Sequence, residues 1–281
     1  MSRFWKMHGL GNDYIVIDNR DGKISSSKAG RLAKRLCERH FSVGADGLLL
    51  VSASKMADVK MRIFNADGTE AEMCGNGIRC FAKYCYENGV VKKKEFPVET
   101  LSGIKHVWLT VEGNKVKAVK ADMGEPNWEK GSLPMVGQGI SVNEKLEVGG
   151  EIFNVTCLSM GNPHCVIFVD EVADFPVERI GSKIENHKAF PKRTNVDFVQ
   201  VLSRNQLKIR VWERGCGETL ACGTGTCASV AAAKRLGKVE DRVTVQLLGG
   251  CLQVEVAAGR LYLSGAAEKI FEGTLFDEAK A

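Results

Sequence analysis

Two cysteines define the chemistry this chain could perform. Cys74 opens the stretch Cys74-Gly75-Asn76-Gly77, and Cys222 opens Cys222-Gly223-Thr224-Gly225. The two stretches belong to a longer repeat. Residues 60–77, KMRIFNADGTEAEMCGNG, align with residues 208–225, KIRVWERGCGETLACGTG. Identities fall at Lys60/Lys208, Arg62/Arg210, Glu70/Glu218, Cys74/Cys222, Gly75/Gly223 and Gly77/Gly225. Chance would supply roughly one, so a duplicated unit is the natural reading. Gly11-Asn12, with an apolar run ending at Asp18, is echoed by Gly161-Asn162 and the run ending at Asp170. Halves related by a pseudo-twofold axis would place equivalent residues, and so the two thiols, opposite one another across a cleft.

The elements that must position the thiols are legible nearby. Val59, Met61 and Ile63 alternate with Lys60 and Arg62, and Leu207, Ile209 and Val211 with Lys208 and Arg210. That is the period of a half-buried strand. A polar, glycine-containing loop follows each strand, then C-G-x-G, then a helical pattern. The first helix shows Ile78, Phe81, Ala82 and Cys85 on one face and stops at Asn88-Gly89. The second runs from about Thr226 to a basic last turn and glycine cap at Lys234-Arg235-Leu236-Gly237.

Each cysteine is therefore expected at a helix N-terminus. There the unsatisfied N–H groups and the positive end of the dipole favour a thiolate and lower the thiol pKa towards neutrality. The backbone N–H groups of Gly75, Asn76, Gly223 and Thr224 could hold a carboxylate. One such stretch reads equally well as a glycine-rich helix entry beside a buried thiol; two at equivalent positions of a repeat are far more specific. Two opposed acid/base groups around a substrate carboxylate suit removal of an α-proton from one face and its return on the other. The helix termini would stabilise the enolate that develops. The chain has no G-x4-G-K-[ST] loop and no dinucleotide fingerprint, so no cofactor is expected.

Composition narrows the remaining classes. The 281 residues are 44% apolar, enough for one large domain or two ordinary ones. A net charge of +5 is mild and dispersed, and the densest cluster, Lys92-Lys93-Lys94, follows a helix end. Nucleic acid is not an expected partner. No stretch is long and apolar enough for a membrane span, and the N-terminus lacks a signal-peptide core, so a cytoplasmic protein is expected. The ten cysteines are read as reduced thiols. Their spacings match no zinc knuckle, so no metal site is expected. Cys37, Cys80, Cys85, Cys157, Cys165, Cys227 and Cys251 sit among apolar neighbours and are read as core or near-core.

The motifs MHGLGNDYIVID, FNADGTEAEMCGNGIRC, GNPHCV, TNVDFV and WERGCGETLACGTGTCA occur in this order along nearly the whole chain. Together they resemble the diaminopimelate epimerase family, which interconverts LL- and meso-diaminopimelate in lysine and peptidoglycan-precursor synthesis without pyridoxal phosphate. The resemblance makes Cys74 and Cys222 the catalytic pair and Gly75, Asn76, Gly223 and Thr224 the N–H donors to the reacting carboxylate. It places Asn12, Asn65, Asn162, Asn195, Glu213 and Arg214 around the substrate, chiefly its distal amino-acid group. It also makes His164 and Glu213 polar neighbours that tune the cysteines. The implied partner is a small molecule, with a homodimer allowed for.

These helpers have plainer readings by residue type. Asn12 and Asn162 are turn residues, Asn195 could simply end a loop, and His164 could be a satisfied core histidine. Glu213-Arg214 could be an exposed ion pair of little worth. Cys216 is an extra thiol in a loop that the family often fills with small residues.

Outside the two helices, strand and turn signals dominate. Hairpin turns are expected at Val111-Glu-Gly-Asn-Lys-Val and Leu247-Leu-Gly-Gly-Cys-Leu. The predicted fold is α+β, with two pseudo-symmetric domains, each a curled, mostly antiparallel sheet around a central helix, and the active site in the cleft between them. By the resemblance, one domain takes residues 1–118 plus 266–281, and the other takes 119–265. Two rival functions remain: a proline racemase or hydroxyproline epimerase, and a non-enzymatic redox or metal-binding thiol protein. The distal-group residues weigh against the first rival.

Overall fold

The computed structural model describes residues 2–276. The chain divides into two compact units, Met1–Ala121 with Ser264–Ala281, and Asp122–Leu263.

The first unit contains β1 (Arg3–Gly9), β2 (Asn12–Asp18), α1 (Ser26–Cys37), β3 (Gly47–Ser52), β4 (Val59–Asn65), β5 (Glu70–Ala71), α2 (Gly75–Glu87), β6 (Glu95–Thr100) and β7 (Gly103–Glu112). The boundary falls within β8 (Lys115–Gly124). The second unit contains β9 (Ser141–Val148), β10 (Glu151–Ser159), β11 (Pro163–Phe168), α3 (Val177–Glu185), β12 (Asn195–Ser203), β13 (Gln206–Glu213), β14 (Gly217–Thr219), α4 (Gly223–Arg235), β15 (Arg242–Leu247) and β16 (Gly250–Ala257). The chain returns through β17 (Arg260–Gly265), and β18 (Glu268–Thr274) lies alongside β1 in the first unit.

The units repeat strand by strand. In the first, β2 runs parallel to β3 and β4 parallel to β6, while β1–β2, β3–β4, β4–β5 and β6–β7 are antiparallel. In the second, β11–β12 and β13–β15 are the parallel pairs, while β10–β11, β12–β13, β13–β14 and β15–β16 are antiparallel. Each parallel step needs a crossover. α1 and α3 supply the first and α2 and α4 the second. The predicted α+β class, the mostly antiparallel sheets and the central helices all hold, as do the two hairpins, which turn at Gly113-Asn114 and Leu248-Gly249.

α2 and α4 are the central helices. Ten of the thirteen residues of each are buried, against the inner faces of β1–β4 and β7 for α2 and of β10–β13 and β16 for α4. Burial this complete admits polar side chains only where they are paired, as Asn76 and Arg79 are in α2. α4 begins at Gly223 rather than near Thr226, so the cysteine itself is the cap.

α1 and α3 were not expected from the sequence. They cover the opposite faces. Ala29, Leu32, Ala33 and Leu36 of α1 pack on Ile15, Ile17, Leu48, Leu50 and Phe64. Val177, Ile180 and Ile184 of α3 pack on Cys165, Ile167, Val196 and Phe198. With the two-residue period of a strand, the intervening residues Tyr14, Leu49, His164 and Asp197 project to the central-helix side.

Candidate active site

The first cluster forms where β2, β3 and the start of α2 meet. Cys74 is the N-cap of α2, in extended backbone, and its Sγ accepts the Gly77 N–H at 3.4 Å. The first helical bond is Ile78 N–H to Cys74 O, so the N–H groups of Gly75 and Asn76 lie ahead of the helical ladder. The Tyr14 hydroxyl lies 2.9 Å from Cys74 Sγ and 2.7 Å from Asn12 Oδ1. Asn12 donates through Nδ2 to Asp46 Oδ2 at 2.8 Å, which fixes Oδ1 as the acceptor facing the phenol. Asn76 Nδ2 donates to the same Oδ1 at 3.2 Å. Beneath this, buried Arg79 donates to Gly75 O at 2.9 Å and Asn76 Oδ1 at 3.1 Å, holding the first turn of α2. Asn65 ends β4, and its amide donates to Thr69 Oγ1 at 3.0 Å within the turn.

The second cluster occupies the corresponding place in the other unit. Cys222 is the N-cap of α4, and its Sγ accepts the Gly225 N–H at 3.4 Å and lies 3.4 Å from Thr224 Oγ1. Thr224 Oγ1 is 3.0 Å from His164 Nε2, which is also 3.2 Å from Asn162 Oδ1. The other ring nitrogen, Nδ1, lies 2.8 Å from Asp197 Oδ2, and both side chains are fully buried. Asp197 Oδ1 lies so close under α4 that a Cβ on Gly225 would approach it to 2.4 Å, so only glycine fits there. Glu213 ends β13 and accepts the Thr219 hydroxyl at 2.5 Å.

Asn195 bridges two segments. Its Nδ2 donates to Pro163 O at 2.7 Å, and its Oδ1 accepts the Arg214 N–H at 2.9 Å. The Arg214 guanidinium donates to Lys192 O at 3.3 Å.

The duplication extends to the supports. Arg62 pairs with Glu70 at 2.7 Å and Arg210 with Glu218 at 2.6 Å, each bracing the loop that carries the chain from strand to cysteine. The bidentate geometry of both pairs explains why the repeat retains these residues.

Electrostatics overturns one expectation. Complete burial, with the Glu213 and Asp197 carboxylates nearby, pushes the Cys222 thiol well above the ordinary range, despite the helix terminus and the Thr224 and Gly225 hydrogen bonds. Desolvation outweighs the dipole, so Cys222 is a thiol in this state. Burial likewise raises the Glu213 carboxyl, against the pull of the Thr219 hydrogen bond.

Sequence reasoning missed three residues at these sites. They are Tyr14, Asp46 and Asp197; the available signal, for Tyr14, was the Asn-x-Tyr/Asn-x-His match at the repeated glycine-asparagine turn. Among the seven cysteines expected in or near the core, Cys251 is exposed on β16. It takes the solvent side of the strand's alternation, next to the buried Leu252. The other six are buried, and Cys216 is exposed. Among the described residues no cluster of three or more His, Cys, Asp or Glu could hold a metal ion, and no helix is long and apolar enough to cross a membrane.

The family model for diaminopimelate epimerase matches residues 4–129 and 156–270. The chain belongs to the diaminopimelate epimerase family. It is 50% identical to the diaminopimelate epimerase of Moorella thermoacetica, over 96% of this chain and 98% of the relative. It is 52% identical to that of Pelotomaculum thermopropionicum, over 96% and 97%. A hydroxyproline epimerase from Agrobacterium vitis shares the fold, with a TM-score of 0.73 at 14% identity, covering 99% of this chain and 92% of that one. So does a PhzF-family phenazine biosynthesis protein from Bacillus anthracis, at 0.69 and 15%, covering 98% and 99%. At these identities the likeness is one of fold, so diaminopimelate epimerase membership rests on the sequence relatives.

Proposed function

We infer that the protein is a cofactor-independent epimerase that interconverts LL- and meso-diaminopimelate, supplying lysine and peptidoglycan-precursor synthesis, with Cys74 and Cys222 as its acid/base pair. The observation that carries this is the pair of cysteines capping the two buried central helices at equivalent positions of a duplicated unit, in a member of this family. A thiolate takes the α-proton, leaving the electron pair delocalised into the carboxylate. The second thiol gives its proton to the other face, inverting the centre. Protons and charge balance, with the thiolate now on the donor cysteine.

The N–H groups of Gly75, Asn76, Gly223 and Thr224, at helix termini, would bind the carboxylate and stabilise the enolate charge. Because Cys222 is held as a thiol, it is the group ready to donate, with Cys74 as the base of that half-reaction. Asn12, Asn65, Asn162, Asn195, Glu213 and Arg214 would receive the substrate's polar groups. Arg214 pairs a carboxylate and Glu213 an ammonium. A cytoplasmic setting suits a centre whose two thiols must stay reduced.

The test is incubation in D2O with LL-diaminopimelate and, separately, with proline. We expect deuterium at the α-carbon of diaminopimelate alone. Exchange on proline would favour the racemase of the related fold. Exchange on neither substrate would leave a thiol protein without this activity.

A further inference from the structure

The acid/base assignment of Cys74 leaves the nearest polar group to its sulfur without a role. We propose that Tyr14 is a positioning residue for the reaction, its hydroxyl a hydrogen-bond rotor that follows the protonation state of Cys74. The proposal rests on Cys74 being an acid/base group, but its geometry stands within one unit of the fold.

The phenol has one proton and two neighbours, Cys74 Sγ at 2.9 Å and Asn12 Oδ1 at 2.7 Å. Asn12 Oδ1 can only accept, because Asp46 fixes the amide the other way round. With Cys74 as a thiol, S–H donates to the phenol oxygen at 2.9 Å, a far shorter reach than the 3.8 Å to Asn12 Oδ1, and the phenol O–H donates to Asn12. With Cys74 as a thiolate, sulfur has no proton to give. The O–H then turns to the sulfur, and Asn12 Oδ1 keeps the Asn76 Nδ2 donor at 3.2 Å. No proton changes owner in the rotation; the proton that Cys74 takes comes from the substrate. Both states are fully hydrogen-bonded, so the site moves between them without leaving a buried polar atom unpaired.

A rotor must keep its proton. Tyr14 is 5% exposed, and burial, with Cys74 second, lifts its phenol well above the ordinary range. The charged and titratable groups packed around it are Asp46 behind Asn12, Arg79 under Gly75 and Asn76, and the buried Cys80 thiol on α2. Lys6, Asp13 and Arg39 are tied up in ion pairs behind Asp46.

The repeat adds an independent observation. Tyr14 stands two residues after Asn12, as His164 does after Asn162, and both reach that asparagine's Oδ1. One thiol is thus served by a neutral phenol and the other, through Thr224, by an imidazole–carboxylate pair. Equivalent positions thus give the two thiols different neighbours.

The test is iodoacetamide alkylation of the intact protein across pH 6 to 9.5, with Cys74 followed by peptide mass spectrometry, in wild type and Tyr14→Phe. A charge-assisted hydrogen bond is lost, so Cys74 alkylation near neutral pH should slow about tenfold and its whole rate profile should move to higher pH. On diaminopimelate, kcat should fall and its pH profile move the same way, with KM little changed. Superimposable Cys74 profiles would overturn the proposal even if the enzyme turns over diaminopimelate. Because alkylation needs no substrate, failure of the epimerase reading would show instead as turnover surviving in Cys74→Ala. Should Tyr14→Phe fold poorly, 3-fluorotyrosine at position 14 keeps the ring and strengthens the donor. It should move the Cys74 profile to lower pH, and an unmoved profile would equally overturn the proposal.

Discussion

His164 Nδ1 lies 2.8 Å from Asp197 Oδ2, with both side chains sealed from solvent. The pairing fixes which ring nitrogen faces Thr224 and so what Thr224 can offer Cys222, 3.4 Å away. A buried histidine whose second nitrogen is anchored by a carboxylate has its tautomer and ring plane set.

Asp197→Asn keeps the shape but can reverse that tautomer. We expect kcat on diaminopimelate to fall about a hundredfold, the scale of misorienting a group near the reacting centre, with KM and melting temperature changing far less. Steady-state kinetics beside a thermal melt would check this, and equal losses in Tm and kcat would point to a structural role alone.

The two glycines ending the C-G-x-G stretches should respond oppositely to alanine. At Gly225 the new Cβ would sit 2.4 Å from Asp197 Oδ1. We expect Gly225→Ala to cost about 1–3 kcal/mol of stability by overpacking and most of the activity. At Gly77 the nearest atoms lie at 3.4 and 3.5 Å, ordinary contact. There alanine's helix preference should leave stability equal or higher by up to about 1 kcal/mol. Denaturant melts of both variants would test the pair.

Burial raises the thiols of Cys37 and Cys80 to about 12 and lifts Cys85 and Cys222 well above their ordinary value, and the hydrogen bond with Cys157, with burial second, does the same for Cys165. A raised pKa in the folded state means that unfolding releases protons in alkali. The stabilisation is whole below the unfolded thiol value and is lost as pH climbs from there towards 12. Unfolding free energy should therefore fall between about pH 8.5 and 11, and Cys80→Ala should shallow that slope by about 1.4 kcal/mol per pH unit, one proton's worth. Reducing-buffer denaturation curves at stepped pH would show it.

Arg214→Ala should lower kcat/KM for diaminopimelate about a hundredfold or more, because a substrate carboxylate would lose its charged partner. Exchange on L-lysine, which cannot fill that position, should be negligible for the wild type. Comparable exchange on lysine and diaminopimelate would leave a two-cysteine racemase of different specificity.

The duplicated strand–loop–cysteine–helix unit was readable from sequence because most of its identities are functional or bracing: two arginine–glutamate pairs, two capping cysteines and the glycines that open each helix. Both hairpins followed from their turn glycines. α1 escaped notice although Ala29, Leu32, Ala33 and Leu36 carry the helical period; the lysines and arginines between them obscure that apolar stripe, and α3 is a short helix of nine residues. Tyr14 and Asp197 were not legible as site residues because each lies within an apolar strand run, and only parallel pairing of β2 with β3 and β11 with β12 brings them under a helix terminus. The fate of Cys222 was misjudged because sequence shows the helix end but not the depth of burial, and here desolvation prevails.

The central claim is that Cys74 and Cys222 work as one acid/base unit, and the most direct measurement is turnover of LL-diaminopimelate in Cys74→Ala and Cys222→Ala, read as formation of the meso isomer. General acid and base groups contribute large factors, and a unit fails when either member is removed. Each variant should lose about two orders of magnitude or more while folding normally by circular dichroism. A folded variant of either kind that kept more than about a tenth of wild-type turnover, too much for an enzyme missing its acid or base, would contradict the account.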